Sequence, residues 1–271
     1  MLSILNSISS LTAENAISAT QSDLQKTLTE LSTGLKINSG ADDAAGLAIA
    51  NGLQGNTVAL TQSSQNASDG IGLLQTADGA LSQVTSLLDR AITLATEAST
   101  GGLSTSQSTA LDTEYQSIMT EVANIGATTN FNGTAVFGTT AAVFTSDGTI
   151  NGSSTTLTSV GALTTTALGL SGTDLTSTAN SQAALTDLSV AIEAVAANRG
   201  TIGASVNQLA ASANVQETEV TNLTSAENSV QNADIGKTVA QMTQYNVLQQ
   251  TGMAALSQSN QAQQAVLKLL Q

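Results

Sequence analysis

The stretch from 185 to 230, LTDLSVAIEAVAANRGTIGASVNQLAASANVQETEVTNLTSAENSV, decides the fold. Stepping alternately by three and four, it presents Leu185, Leu188, Ile192, Val195, Arg199, Ile202, Val206, Leu209, Ala213, Gln216, Val220, Leu223, Glu227 and Val230. All but Arg199, Gln216 and Glu227 are apolar, and a three-four frame held this long specifies one face of a continuous α-helix. At ~1.5 Å per residue that helix is roughly 70 Å long, which predicts a rod and not a helix wrapped into a globule. Arg199 and Glu227 either set its register against charged neighbours or turn to solvent through a slight rotation of the helix.

The same alternation recurs upstream. Leu74, Ala77, Leu81, Val84, Leu88, Ala91 and Ala95 keep it, as do Leu111, Tyr115, Ile118, Val122 and Ile125, with Gly101-Gly102 between them as a turn. Three helices with matching seams predict an elongated bundle. The chain ends read as helices of a different quality. Leu24, Leu28, Leu31 and Leu35 form a leucine seam, preceded by Ile4, Ile8 and Leu11. The closing frame runs Val239, Met242, Asn246, Gln249, Met253, Leu256, Asn260, Gln263, Leu267, Leu270, with Asn or Gln at four positions. Amides at seam positions weaken a helix pair while fixing its register, so these ends are expected to be marginal alone.

Composition narrows the function classes. Among 271 residues there is no Cys, His or Pro. The commonest general base, the commonest transition-metal ligands and the disulfide are therefore unavailable. Without proline, long uninterrupted helices are the natural expectation. With aromatics at 2%, a core must be built from Leu, Ile, Val and Ala. Acidic residues number 20 against 6 basic ones, for a net charge of -14. Lys26, Lys36, Arg90, Arg199, Lys237 and Lys268 are scattered, which argues against nucleic acid or an anionic membrane as partner. No apolar run reaches the ~18 residues of a membrane span, so no membrane insertion is expected. The opening MLSILNSISS lacks a basic n-region and a cleavage site, so a secreted reading needs export without a cleaved signal peptide.

No enzyme is expected, and no cofactor or metal. Asp42-Asp43 is a carboxylate pair, but it reads better as the cap of a helix starting near Ala44, and GTIGAS lacks the lysine of a phosphate loop. Between 129 and 180 the texture turns to Thr, Ser and Gly, as in TAVFGTTAAVFTSDGTINGSSTTL. Alternating β-branched residues with turn pairs Asp147-Gly148 and Asn151-Gly152 predict one or two hairpins. The same Ser/Thr density fits an O-glycosylated outer face or a bare solvated loop.

LSTGLKINSGADDAAGLAIA, at 31 to 50, resembles the N-terminal signature of bacterial flagellins, and TQSSQNASDGIGLLQTADGAL continues the likeness. NRGTIGASVNQL, at 198 to 209, and the closing NQAQQAVLKLL are similar to that family's C-terminal helices. The resemblance covers about 31 to 135 and 181 to 271. It implies a mainly α subunit: an inner terminal coiled coil over 1–33 and 235–271, a helical rod domain over 34–128 and 181–234, and a variable β-rich outer region over 129–180. Within the rod, 34–46 is expected to be a connector that affects filament shape, with Gly34, Gly40, Asp42, Asp43 and Gly46 as its marked residues; an ordinary capped linker fits the same letters.

By this resemblance the function is that of a structural subunit of the extracellular flagellar filament, and no zinc-protease insertion is possible without histidines. The assembly seam is expected at Leu24, Leu28, Leu31, Leu35, Met242, Met253, Leu256, Leu267 and Leu270. Implied partners are further copies of the chain, an export chaperone and the type III export apparatus, and the filament cap and hook-filament junction proteins. A host Toll-like receptor is implied through an exposed Arg90, Leu94 and Glu114, although Asp89, Ile92 and Thr93 depart from the family's usual neighbours there. The alternative for Arg90 and Glu114 is a solvated pair or a contact between stacked subunits. The alternatives for the whole chain are a hook-filament junction protein and a secreted coiled-coil adhesin that does not polymerise.

Overall fold

The computed structural model describes residues 8–147 and 155–269. Along the chain run helix α1 (Ile8–Thr33), helix α2 (Ala44–Ala98), helix α3 (Thr105–Thr128), strands β1 (Asn130–Phe131), β2 (Thr134–Ala135), β3 (Thr140–Phe144) and β4 (Thr155–Ser159), helix α4 (Thr178–Gln231) and helix α5 (Ile235–Leu269). The fold is mainly α, the chain ends pack together through α1 and α5, and two small antiparallel hairpins, β1–β2 and β3–β4, interrupt the helices. The turn of the second hairpin, with Gly148, Asn151 and Gly152, falls outside the described residues.

The chain divides into two compact units, Met1–Gly55 with Asn222–Gln271, and Asn56–Thr221. The division falls inside α2 and α4.

The larger unit carries the core. Leu74, Ala77, Leu81, Val84, Leu88, Ala91 and Ala95 of α2 are all buried, with Tyr115, Ile118, Met119 and Val122 of α3 and Leu188, Val195, Ile202 and Leu209 of α4. Every position of the α4 frame from Leu185 to Val230 is buried or half-buried. Its two polar members within this unit find partners on α2. Arg199 pairs with Asp78 (Nε to Oδ1 2.7 Å), and buried Gln216 donates to Ser63 Oγ at 3.2 Å. A Ser104 cap reciprocated by Gln107 starts α3, with Ser104 N–H donating to Gln107 Oε1 at 2.8 Å.

The described residues of 129–180 pack into the larger unit. Val136, Phe137, Val143, Val160, Leu163, Leu168, Leu170 and Leu175 all enter the same core as α2, α3 and α4. α3 holds the returning loop by three hydrogen bonds: the Tyr115 hydroxyl with Thr173 Oγ1 (2.6 Å), Gln116 Nε2 to the Thr173 carbonyl (2.8 Å), and the Leu175 N–H to Asp112 Oδ1 (2.8 Å). Burial pushes the Tyr115 phenol above its ordinary pKa. Gly126 permits the closest approach, since a Cβ there would overlap the Leu163 carbonyl oxygen.

Candidate functional site: the paired chain ends and their connector

In the smaller unit α1 and α5 run antiparallel. Ser10 Oγ lies 3.0 Å from Ser259 Oγ, and one heptad further along α1 Ile17 meets Gly252, one heptad back along α5. A Cβ on Gly252 would stand 2.8 Å from Ile17 Cγ1, so the missing side chain is what lets the helices approach at this point. Continuing the register sets Leu24 against Tyr245 and Leu31 against Thr238. On α1 the half-buried or buried positions include Ala13, Ile17, Thr20, Leu24, Thr27 and Leu31; on α5 they include Thr238, Met242, Tyr245, Gln249 and Leu256.

The residues of the expected assembly seam fall only in part on this face. Leu24, Leu31, Met242 and Leu256 lie on it, but Leu28 is 46% exposed and Met253 51% exposed. Thr27 takes the position expected of Leu28. Its hydroxyl donates to the Asp23 carbonyl at 2.8 Å, so Thr27 packs as a small, nearly apolar group, 5% exposed. On α5 the face passes through 238, 245, 252 and 259 instead of 239, 246, 253 and 260, because Gly252 admits Ile17 where Met253 would not. Leu35 lies beyond the end of α1 and bridges to Asn232. Leu267 lies within α5, and Leu270 falls outside the described residues, as does Ile4. The remaining apolar side chains, Ile8, Leu11, Leu28, Ile235, Val239, Val247, Leu248 and Met253, are exposed.

The connector folds into a stitched junction. The Lys36 N–H donates to the Gln231 carbonyl at 2.7 Å, and the Ala233 N–H donates to the Gly34 carbonyl at 2.9 Å. The break between α1 and α2 is thereby bonded to the break between α4 and α5. Asp43 caps α2, its Oδ1 accepting from the Ala45 and Gly46 N–H groups at 3.1 and 2.9 Å. Asp42 does not share in the cap read for the pair. Its Oδ2 accepts from Asn38 N, Ser39 N and Ser39 Oγ, and its Oδ1 from Lys26 Nζ of α1 at 2.9 Å. The bond from Lys26, with those from Ser39 and Asn38, holds the Asp42 carboxyl at about 2. Ile37 is buried in this loop, Gly46 is buried in the first turn of α2, and Gly40 is exposed at the loop's bend. Asp234 caps α5 through the Lys237 N–H at 3.1 Å. A cap is legible in sequence, but the pairing of two linkers nearly two hundred residues apart leaves no local signal.

Arg90 and Glu114 are about half exposed and satisfy each other, with Arg90 Nη2 2.7 Å from Glu114 Oε1. Leu94 is 1% exposed and belongs to the rod core. The expected exposed triplet is therefore reduced to a self-paired Arg and Glu, because Leu94 continues the buried three-four face of α2.

A mainly helical chain whose two ends pair through a thin seam interrupted by polar side chains, leaving apolar side chains uncovered, belongs to the class of self-assembling structural subunits. Comparison with known proteins specifies the class further. The family described as the bacterial flagellin N-terminal helical region matches residues 4–142, and that described as the bacterial flagellin C-terminal helical region matches residues 185–270. A flagellin of Halalkalibacterium halodurans is 35% identical over 251 residues, covering 91% of each chain. The flagellin of Bacillus subtilis is 31% identical, covering 98% of this chain and 99% of that one. The crystal structure of Bacillus cereus flagellin is similar with a TM-score of 0.50 and 28% identity, covering 56% of this chain and 88% of that chain. The chain belongs to the bacterial flagellins and is a structural subunit of the flagellar filament, outside the cell.

Proposed function

We propose that the α1–α5 pair is the element through which copies of this chain join the filament, and that the pair completes its folding only in the polymer. The observation that carries this reading is the exposure of Leu28, Val239, Val247, Leu248 and Met253 on a two-helix unit. Ordering the backbone costs about 1–2 kcal/mol per residue, and a fully buried Leu or Met stabilises by about 1.5–3 kcal/mol. A seam containing Ser10, Thr20, Thr27, Thr238, Gln249 and Ser259 buries too few large apolar groups to offset that ordering by itself. Neighbouring copies supply the missing burial. The stitched connector, with Lys26–Asp42 and the Gly34–Ala233 and Lys36–Gln231 bonds, then fixes how the pair leaves the junction and so bears on filament shape.

The same reading gives the chain its route and its company. It leaves the cell through the type III export apparatus with an export chaperone, and joins a filament bounded by hook-filament junction and cap proteins. A chain free of Cys and Pro refolds after passage without disulfide reshuffling or prolyl isomerisation. Pelleting of polymer from purified Leu28→Glu subunit tests the assembly role. The variant is expected to stay in the supernatant with its monomer spectrum unchanged, and normal pelleting would remove the α1–α5 surface from the account.

A further inference from the structure

Three Asn-Gly pairs occur in the chain, Asn51-Gly52, Asn132-Gly133 and Asn151-Gly152, and the third lies outside the described residues. The other two sit in opposite environments. Asn51-Gly52 is inside α2, where the Gly52 N–H belongs to the helical ladder and is not free to act as a nucleophile. Asn132 and Gly133 form the two-residue turn between β1 and β2, with pairs Phe131↔Thr134 and Asn130↔Ala135 on either side. Both are exposed, Asn132 has φ 49° and Gly133 φ 79°, and a Cβ on Gly133 would meet nothing within 4 Å. Among the described residues neither the Asn132 carboxamide nor the Gly133 N–H makes a hydrogen bond, and the hairpin is only two residue pairs long, so it opens locally at small cost.

We propose that Asn132 is a site of spontaneous deamidation in the folded chain, while Asn51 is protected by its helix. Hydroxide removes the Gly133 amide proton, and the nitrogen attacks Cγ of Asn132. The new C–N bond closes a five-membered succinimide as the Cγ–Nδ2 bond breaks and ammonia leaves. Water then opens the ring at either carbonyl, giving aspartate or isoaspartate, so the net change is one water consumed and one ammonia released. No enzyme or oxidant is required. Either product adds a negative charge to a chain already at -14. The isoaspartate also inserts a backbone carbon into a two-residue turn, which breaks the Asn130↔Ala135 register and loosens Phe131, whose ring a Gly72 Cβ would meet at 3.4 Å.

The test is incubation of the intact chain at mildly alkaline pH, with a urea-denatured sample in parallel, followed by peptide mass spectrometry and isoaspartate detection at each pair. The native chain is expected to convert Asn132 roughly ten-fold or more faster than Asn51, with a rate rising with pH, and denaturation is expected to remove the difference, because only the folded helix suppresses Asn51. An Asn132→Gly chain keeps the turn and loses the isoaspartate signal from that peptide. Asn132 remaining an amide in the native chain while the denatured chain converts would overturn the proposal, as would equal native rates at Asn132 and Asn51.

Discussion

At the residue scale, the chain's charged and small side chains do work that their chemistry makes readable only in part. Asp43 as a helix cap follows from its place before an apolar helix. The partnership of Asp42 with Lys26 does not, because Lys26 is on another element and a loop must fold back to bring the two together. Asp42 has a folded pKa of about 2, below the ordinary 3.8. Its contribution to the junction is therefore fully present above pH 3.8 and lost as pH falls through about 2. Carboxyl titration by NMR should find one Asp near that lower value, and Lys26→Met should move it back toward 3.8. Two glycines give a prediction of opposite signs. Gly79 lies inside α2 with nothing within 4 Å of a would-be Cβ, so Gly79→Ala should stabilise by about 0.5–1 kcal/mol. Gly126→Ala brings the same gain in helix propensity but drives a methyl into the Leu163 carbonyl, and a net loss of about 1–3 kcal/mol is expected in urea unfolding.

At the element scale, legibility followed apolar density. The α4 frame contains so many Leu, Ile and Val residues that one rotation of the helix satisfies nearly all of them, and its three polar positions are all at least half-buried. The terminal helices offer no such excess. Threonines whose hydroxyls bond to the preceding turn pack like small apolar groups, so Thr27 displaces Leu28 from the seam, and a glycine displaces Met253. Residue-type counting ranks Leu and Met above Thr and Gly and picks the neighbouring face. The register of the pair is testable at Gly252. A Gly252→Val side chain begins 2.8 Å from Ile17 Cγ1, and in the assembled polymer it should strip hydrogen-exchange protection from α1 and α5 while the amides of 56–221 keep theirs. Unchanged protection at both ends would show that the register drawn through Ser10–Ser259 and Ile17–Gly252 is not the one in solution. The hairpins fall between these cases: the Thr-rich pattern announced strands, but their burial against α2 to α4 depends on contacts made only after the chain has turned back on itself.

At the scale of the whole molecule, the chain joins a self-sufficient unit to one that is not. Residues 56–221 enclose a continuous apolar core, with both arginines of the unit paired to carboxylates within it. The terminal unit rests on one helix pair and a stitched loop, and it turns large apolar side chains outward. That asymmetry was visible in the sequence as a rich frame in the rod and a sparse one at the ends, although the exact boundary inside α2 and α4 was not, since neither helix is interrupted there. The central claim is that the outward-facing side chains of α1 and α5 are assembly contacts. Its most direct test is the critical concentration for polymerisation of a Leu28→Glu, Met253→Glu double variant, measured by sedimentation beside the parent chain. Both residues are exposed in the subunit, so its stability should change by no more than about 0.5 kcal/mol while the critical concentration rises ten-fold or more. A double variant that polymerises at the parent's critical concentration would contradict the account.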